Sequence, residues 1–374
     1  MTASRLIRIL IVDDSAVMRS LLRSVIASDP ALEVAATAAD GASALASIEI
    51  SRPDLVLLDV EMPVMDGLET LRQMRRRGLR IPAIMCSSLT RRGAKVTIEA
   101  LASGASDYVA KPAGQASRDH ALKSLAQDLL PRIHALAGNN LSAPAATPAA
   151  RPALPAAPQA LVPPSITAVP TVVAIGVSTG GPAALDQLLP ALPDAFPLPV
   201  LIVQHMPEVF TRLFAERLNA RCRLRVREAA ESDAVRAGTI YIARGNWHME
   251  VLAPARAGAS PTLHLNQDPP ENHCRPAVDV LFRSAARVYG SGVLALVLTG
   301  MGSDGLAGCR IIRNQGGCII AQDCPTSTVW GMPGAVAQAG LAHRILPLAD
   351  LAPEIIRRSR RERSELDSLS RMAV

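Results

Sequence analysis

Aromatic residues are scarce in this chain of 374 residues: four Phe, three Tyr and two Trp, 2% of the total. Hydrophobic residues nonetheless make up 49%, so the cores must be built of Leu, Val, Ile, Ala and Met. The scarcity also bears on nucleic acid, because base stacking needs aromatic platforms. The one basic concentration sets Arg357, Arg358, Arg360, Arg361, Arg363 and Arg371 against Glu362, Glu365 and Asp367, with no aromatic among them. A solvated terminal helix accounts for it, and no helix-turn-helix pattern points to a nucleic-acid partner. Long apolar runs are missing too. None approaches the roughly 18 residues of a membrane helix, which predicts no direct membrane insertion. Arg5 and Arg8 flank a very short apolar stretch with no secretory h-region, so the expected location is cytoplasmic. Six Cys occur, at 86, 222, 274, 309, 318 and 324, with no Cys-x-x-Cys pair. They read as reduced thiols rather than disulfides or zinc ligands. The net charge of +6 is mild.

What is present centres on Val172 to Pro182. Val172 to Ile175 is an apolar, β-branched run suited to a buried strand. Gly176-Val177-Ser178-Thr179-Gly180 is a tight turn, and Leu185, Leu188 and Leu189 follow at helical spacing behind Pro182. Strand, turn and helix with Ser at the bend is the context of a Gly-x-Ser-x-Gly nucleophile turn. A helix N-terminus behind Ser178 would aim N–H groups at a developing oxyanion. Gly-rich turns of this kind also hold phosphates, but the spacing lacks the Gly-x-Gly-x-x-Gly and Gly-Lys-Ser/Thr patterns.

The first third alternates strands, at 7–12, 34–37, 55–58, 81–86 and 107–109, with helical segments; Ser15 is placed to cap the first helix. Five such units predict a parallel, doubly wound α/β sheet with its site at the carboxyl ends of the strands. Those ends carry Asp13-Asp14, Asp59, Ser87-Ser88 and Lys111-Pro112 in order. Three carboxylates brought together call for a cation, and hard oxygen ligands favour Mg²⁺. A carboxylate beside that ion can attack phosphorus and become an acyl phosphate. Lys111 and the Ser87 hydroxyl could neutralise and bond the phosphoryl group. This ordered set resembles the receiver domain of response regulators. The resemblance implies phosphorylation of Asp59 by a histidine kinase, Mg²⁺ held by Asp13, Asp14, Asp59 and the Glu61 backbone, and a switch formed by Ser87, Tyr108 and Lys111.

From Gly138 to Pro170 over half the residues are Ala or Pro, which reads as an extended, semi-stiff linker. The expected organisation is a receiver domain at 1–136, a linker at 137–170, a second and larger α/β domain with a mainly parallel sheet at 171–352, and a basic tail at 353–374. Strands are predicted at 172–177, 200–204, 239–242, 293–298 and 318–321, with helices near 182–189, 210–219, 276–289, 305–314 and 332–338.

Ser178 needs a base and an orienting acid. His205 closes the apolar run Val200-Leu201-Ile202-Val203-Gln204 on the sheet edge that carries Ser178. His248 and His273 fall in predicted loops, lining a cleft or lying at the surface; His264 and His343 read as structural. Asp304 sits in the Gly-rich loop Thr299-Gly300-Met301-Gly302-Ser303-Asp304-Gly305 after a strongly apolar strand. Alone it would read as the cap of the following helix. With Ser178 and His205 on the same edge it completes a triad.

The chain order Ser, His, Asp differs from that of α/β-hydrolases, chymotrypsin-like proteases and subtilisins. Together with Ile175 to Gly181, Gln204-His205-Met206-Pro207, His248-Met249-Glu250, Leu298 to Gly305 and Gly331-Met332-Pro333-Gly334, it resembles the catalytic domain of the chemotaxis protein-glutamate methylesterases. The receiver and linker in front match that family's architecture. The resemblance implies Ser178 as nucleophile, His205 as general base and Asp304 as its orienting acid, with backbone N–H groups of Thr179 and Met301 as the oxyanion hole. It implies hydrolysis of glutamate methyl esters on chemoreceptors, with methanol released, and deamidation of receptor glutamines, gated by phosphorylation of Asp59. No cofactor is implied in the catalytic domain. One departure stands out. The family commonly reads Asn-x-His-Arg-Pro-Ser-Val-Asp where this chain has Asn272-His273-Cys274-Arg275-Pro276-Ala277-Val278-Asp279. The competing reading is a non-enzymatic response regulator whose second domain binds a partner or a nucleotide at the Gly-rich turn.

Overall fold

The structure, a computed structural model, describes residues 5–88, 90–112, 117–141, 168–256 and 258–359. Most of the Ala/Pro linker (142–167) and the basic tail from 360 onward lie outside the described residues. The chain forms two compact units.

The first sheet has five parallel strands in the order β2-β1-β3-β4-β5: β1 (Ile7–Val12), β2 (Leu32–Ala38), β3 (Leu55–Asp59), β4 (Ala83–Ser87) and β5 (Asp107–Ala110). Helices α1 (Ala16–Ala27), α2 (Gly41–Ser51), α3 (Gly67–Arg76), α4 (Arg91–Ala102) and α5 (Arg118–Leu141) alternate with them. The central strands β3 and β4 are buried throughout and largely apolar, as a sheet covered on both faces requires. Each of the first four helices begins at a side-chain cap. Ser15, Asp40, Asp66 and Thr90 accept from backbone N–H groups three residues on, which satisfies donors the helix itself cannot use.

The second sheet has seven strands, all parallel, in the order β14-β13-β12-β6-β7-β9-β8. In chain order the elements are β6 (Val172–Val177), α6 (Gly181–Leu188), β7 (Val200–Gln204), α7 (Glu208–Asn219), β8 (Arg225–Glu228) and β9 (Thr239–Ile242). A separate antiparallel pair follows, β10 (His248–Leu252) and β11 (Thr262–Asn266). Next come α8 (Val278–Tyr289), β12 (Val293–Val297), α9 (Leu306–Asn314), β13 (Cys318–Gln322), α10 (Met332–Gln338), β14 (Arg344–Leu346) and α11 (Leu348–Ser359). Five strands were expected here. β8, β14 and the β10–β11 pair are additional.

The core is aliphatic, as composition required, with one correction. All four Phe, at 196, 210, 214 and 282, are buried, and three of them rank among the largest fully buried side chains. Tyr108 and Tyr241 are buried as well, while Trp247, Tyr289 and Trp330 are partly so.

Candidate active site

The turn after β6 begins at Ser178. Its backbone N–H donates to the Thr299 carbonyl (3.0 Å), and its own carbonyl accepts from Gln204 Nε2 (3.1 Å). β6 lies between β12 and β7, with Val177 beside Gln204 and Gly176 beside Val297. The residues that follow these three strands therefore meet at one edge. In this turn the left-handed residue is Gly180, at φ 77°, while Ser178 itself is not left-handed. The Ser is carried by a tight turn without being strained. Close approach is supplied by Gly300: a Cβ there would stand 2.5 Å from Met332 Sδ and 2.8 Å from Ser178 Cβ. The loop holding Gly300 is pinned from Gly331 and Met332, whose N–H groups both donate to the Gly300 carbonyl.

His205 follows β7 directly, with its backbone N–H on the Val177 carbonyl. Its ring Nε2 lies 2.8 Å from Asp304 Oδ2. A carboxylate only accepts, so Nε2 carries a hydrogen, and in the neutral ring it is Nδ1 that presents the lone pair. Burial works to lower the His205 pKa. The hydrogen bonds to Asp304 and Cys274 and the charges of both outweigh it, and the ring is pushed up to about 9.

Asp304 is 2% exposed and fully engaged. Oδ2 also accepts from the Val278 N–H (2.7 Å), and Oδ1 accepts from the Asp279 N–H (3.0 Å) and Asn272 Nδ2 (2.9 Å). Burial would raise this carboxyl. The His205 bond, its charge and the two backbone donors hold it below the usual carboxylate range. The sequence left open a cap of the following helix. The carboxylate instead caps α8, an element that precedes it in the chain, while α9 has Gly305 at its cap position and no side-chain cap.

Three residues around the site were not singled out from sequence. Gln204 holds the Ser178 turn. Asn272 and Asp279 brace Asp304, with Asn272 Nδ2 also 3.0 Å from Asp279 Oδ2. Both lie in the segment quoted for its departure from the family pattern, which was the available signal. Cys274 reaches the site from the same segment, with Sγ 3.6 Å from His205 Nδ1. His248 lines no cleft: it opens β10, is buried, accepts the Ala277 N–H at Nδ1 and donates from Nε2 to the Pro269 carbonyl. His273 stays at the surface. Thr179 is buried next to Ser178, and among the described residues the Met301 N–H has no hydrogen-bond partner.

In the first domain Asp13, Asp14 and Asp59 present carboxylate oxygens within 4.8 Å of one another. Lys111 Nζ lies 2.8 Å from Asp13 Oδ2 and 2.7 Å from Asp59 Oδ1. The contact to Asp13 Oδ2 is ionic and not aligned as a hydrogen bond, so that buried oxygen lacks a directed donor. Burial, and after it the charge of Asp13, raise the Asp59 carboxyl against the opposing pull of Lys111. Burial would lower Lys111, but the two carboxylates hold its pKa above the usual value. An all-oxygen acidic set with one undirected oxygen fits Mg²⁺. Ser87 and Tyr108 are buried on β4 and β5. The Glu61 side chain turns outward to Arg92 (3.1 Å). A cavity of about 490 Å³, lined by Asp14, Val60, Glu61, Met62, Pro63 and Asp66 among others, opens there. Gly67 is obligatory beside it, because a Cβ would sit 2.0 Å from the Asp59 carbonyl oxygen.

The sequence matches two family models: CheB methylesterase over residues 173–355 and response regulator receiver domain over residues 9–123. A protein-glutamate methylesterase/protein-glutamine glutaminase from Nocardioides sp. is 49% identical over 96% of this chain and 97% of its own length. One from Trichodesmium erythraeum is 47% identical over 94% and 98%. A crystal structure of the Thermotoga maritima CheB methylesterase catalytic domain aligns at 39% identity and TM-score 0.49, covering 51% of this chain and 99% of that one.

Proposed function

This chain belongs to the protein-glutamate methylesterase/protein-glutamine glutaminase family, and on that premise we propose that Ser178, His205 and Asp304 hydrolyse glutamate methyl esters of chemoreceptors and deamidate receptor glutamines. The observation that carries the proposal is the His205–Asp304 pair, which leaves the Nδ1 lone pair as the proton acceptor on the edge that bears Ser178. Ser178 Oγ attacks the ester carbonyl and its proton passes to His205 Nδ1. Asp304 stabilises the imidazolium so formed. The N–H groups of Thr179 and Met301 are assigned to the oxyanion. The imidazolium returns the proton to the leaving methoxide, and methanol departs. Water then attacks the acyl-serine by the same route, releasing glutamate and restoring Ser178. With an amide substrate the leaving group is ammonia.

The receiver, assigned to 1–136, feeds the catalytic domain at 171–352. A histidine kinase is assigned as phosphodonor to Asp59. Asp13, Asp14, Asp59 and the Glu61 backbone would hold Mg²⁺, which when bound neutralises charge building on the phosphoryl oxygens. Lys111 and Ser87 bind those oxygens, and Tyr108 completes the switch. Phosphorylation shifts the population toward the active hydrolase. Among the described residues no helix is long and apolar enough to cross a membrane, and we assign the chain to the cytoplasm, acting on receptor segments there.

The test is methanol release from methylated receptor membranes by wild type and Ser178→Ala, with and without a small acyl-phosphate donor. Release by wild type alone, accelerated by the donor, is expected. No release from either removes receptor esters as substrate. Equal rates with and without the donor remove the gating. Equal behaviour of wild type and Ser178→Ala would restore the non-enzymatic binding module.

A further inference from the structure

The departure at Cys274 creates a feature that the hydrolytic mechanism does not use. Glu271 and Cys274 bond to each other's backbones (3.1 and 2.9 Å), and between them Asn272 and His273 are both left-handed, at φ 52° and 62°. That is the geometry of a two-residue hairpin turn with both central residues at positive φ. The turn is clamped from outside by Glu271, whose two oxygens each lie 2.6 Å from an Arg283 nitrogen. Its product is a fixed thiol: Cys274 Sγ stands 3.6 Å from His205 Nδ1. Ligand atoms of His205, Cys274 and Asp304 all lie within 4.8 Å of one another.

We propose that His205 Nδ1 and Cys274 Sγ form an inhibitory site for a thiolate- and imidazole-preferring divalent ion, Zn²⁺ being the best fit. The distance is the first argument. Zn–S bonds of about 2.3 Å and Zn–N bonds of about 2.0 Å, set at a tetrahedral angle, place sulfur and nitrogen roughly 3.6 Å apart. The pair already stands at that separation. The back of the ring supplies the second argument. Nε2–H is held by Asp304, as outer carboxylates hold metal-binding imidazoles, fixing the tautomer that offers Nδ1. Asp304 is in turn fixed by Asn272 and the start of α8. The donor set is the third. Sulfur with nitrogen selects Zn²⁺ over Mg²⁺, which keeps to the all-oxygen cluster of the receiver.

Binding replaces the thiol proton, which leaves to solvent, and two coordination positions remain for water. Its consequence rests on the hydrolytic reading above. The ion occupies the lone pair that must accept the Ser178 proton, so turnover stops while it is bound. The ligands themselves do not depend on that reading.

The experiment uses the full chain in excess Mg²⁺, which fills the receiver site. Co²⁺ is titrated as a spectroscopic stand-in and the thiolate-to-cobalt charge-transfer absorption is recorded for wild type, Cys274→Ser and Ser178→Ala. Zn²⁺ inhibition of ester hydrolysis is measured on wild type and Cys274→Ser, each relative to its own rate in chelated buffer. We expect the absorption band in wild type and Ser178→Ala and its loss in Cys274→Ser, with at least tenfold more Zn²⁺ needed to inhibit that variant. A band that survives Cys274→Ser, no band in wild type, or equal Zn²⁺ inhibition of both overturns the site. If wild type shows no hydrolysis in chelated buffer, the functional reading fails separately, and the band still decides the metal site.

Discussion

Asp304 and Asp279 cap each other's helices. Asp304, two residues before α9, takes the N–H groups of Val278 and Asp279 at the start of α8. Asp279, the second residue of α8, takes the Gly308 N–H in the first turn of α9 (2.6 Å). Neither helix has a side-chain cap of its own, since Ala277 and Gly305 occupy the cap positions. Each carboxylate sits in the positive end of the other's helix, and one of the two also orients His205.

The two roles separate by mutation. Asp304→Asn keeps the size and part of the cap but loses the charge that holds His205 in its tautomer. A loss of about 10³–10⁴-fold in kcat is expected, in line with removal of an orienting carboxylate from a triad. Asp279→Ala leaves the Gly308 N–H unpaired and should cost about 1–3 kcal/mol of stability, with a much smaller effect on rate. Thermal melts and methanol-release kinetics on both variants check this. Equal rate losses would mean that Asp279 serves the chemistry as directly as Asp304.

The pH dependence follows from His205. Only the neutral ring can take the Ser178 proton, and its pKa is pushed up to about 9. The rate constant kcat/KM should therefore climb about tenfold per pH unit below that value and level off above it. The stability effect runs the other way. A folded pKa above the ordinary 6.5 means that the charged ring's partners stabilise the fold fully below pH 6.5. That contribution is lost as pH rises through about 9. Steady-state rates and melting temperatures over the same pH series should thus move in opposite directions. A flat rate profile between pH 6 and 8 would remove His205 as the titrating base.

Chelation should act on one domain only. With EDTA, labelling of Asp59 by an acyl-phosphate donor should cease, while basal ester hydrolysis should persist, because the proposed proton path runs through side chains alone. Asp13→Asn should weaken labelling even in excess Mg²⁺, since it removes charge from the most buried of the three carboxylates. Radiolabel incorporation and methanol release on the same samples read the two effects. Full labelling in EDTA would sink the Mg²⁺ assignment.

Gly300→Ala tests close packing behind the nucleophile. Its methyl would meet Met332 and the Ser178 Cβ well inside contact distance, so the turn must shift. Misplacement of a reacting group by about 1 Å can cost about 10²-fold. A drop of that order in kcat with a folded protein is expected; an unchanged kcat would show that the turn tolerates the shift.

The first domain was legible almost throughout, because four of its five strands, β1, β3, β4 and β5, are largely apolar and lead to a chemically distinctive residue: Asp13, Asp59, Ser87 and Lys111 respectively. In the second domain the buried strands β6, β7, β12 and β13 were legible for the same reason. The strands that escaped notice include both edges of the sheet. β8 reads Arg-Val-Arg-Glu and β14 is three residues long with only Leu346 buried. Edge strands are kept short and charged, which erases the pattern that marks a strand. Ser178 and His205 could be placed because they directly follow apolar strands. The direction of Asp304 could not, since its partners at the start of α8 are about 25 residues away along the chain. Cys274 faces His205 because two successive residues adopt left-handed backbone; Asn and His tolerate that conformation better than most residues, but the preference alone does not place a turn.

The order of the second sheet places β12, β6 and β7 third, fourth and fifth of seven, so no strand that leads to Asp304, Ser178 or His205 is an edge. Fraying begins where a ladder has one neighbour, at β14 or β8, and can proceed inward without parting these three. Separating Ser178 from His205 or Asp304 means breaking the most protected pairs of the sheet. Amide exchange at Val177, Gln204 and Val297 should then report the slowest opening of the domain, and the strands that carry the site part only with the centre of the sheet.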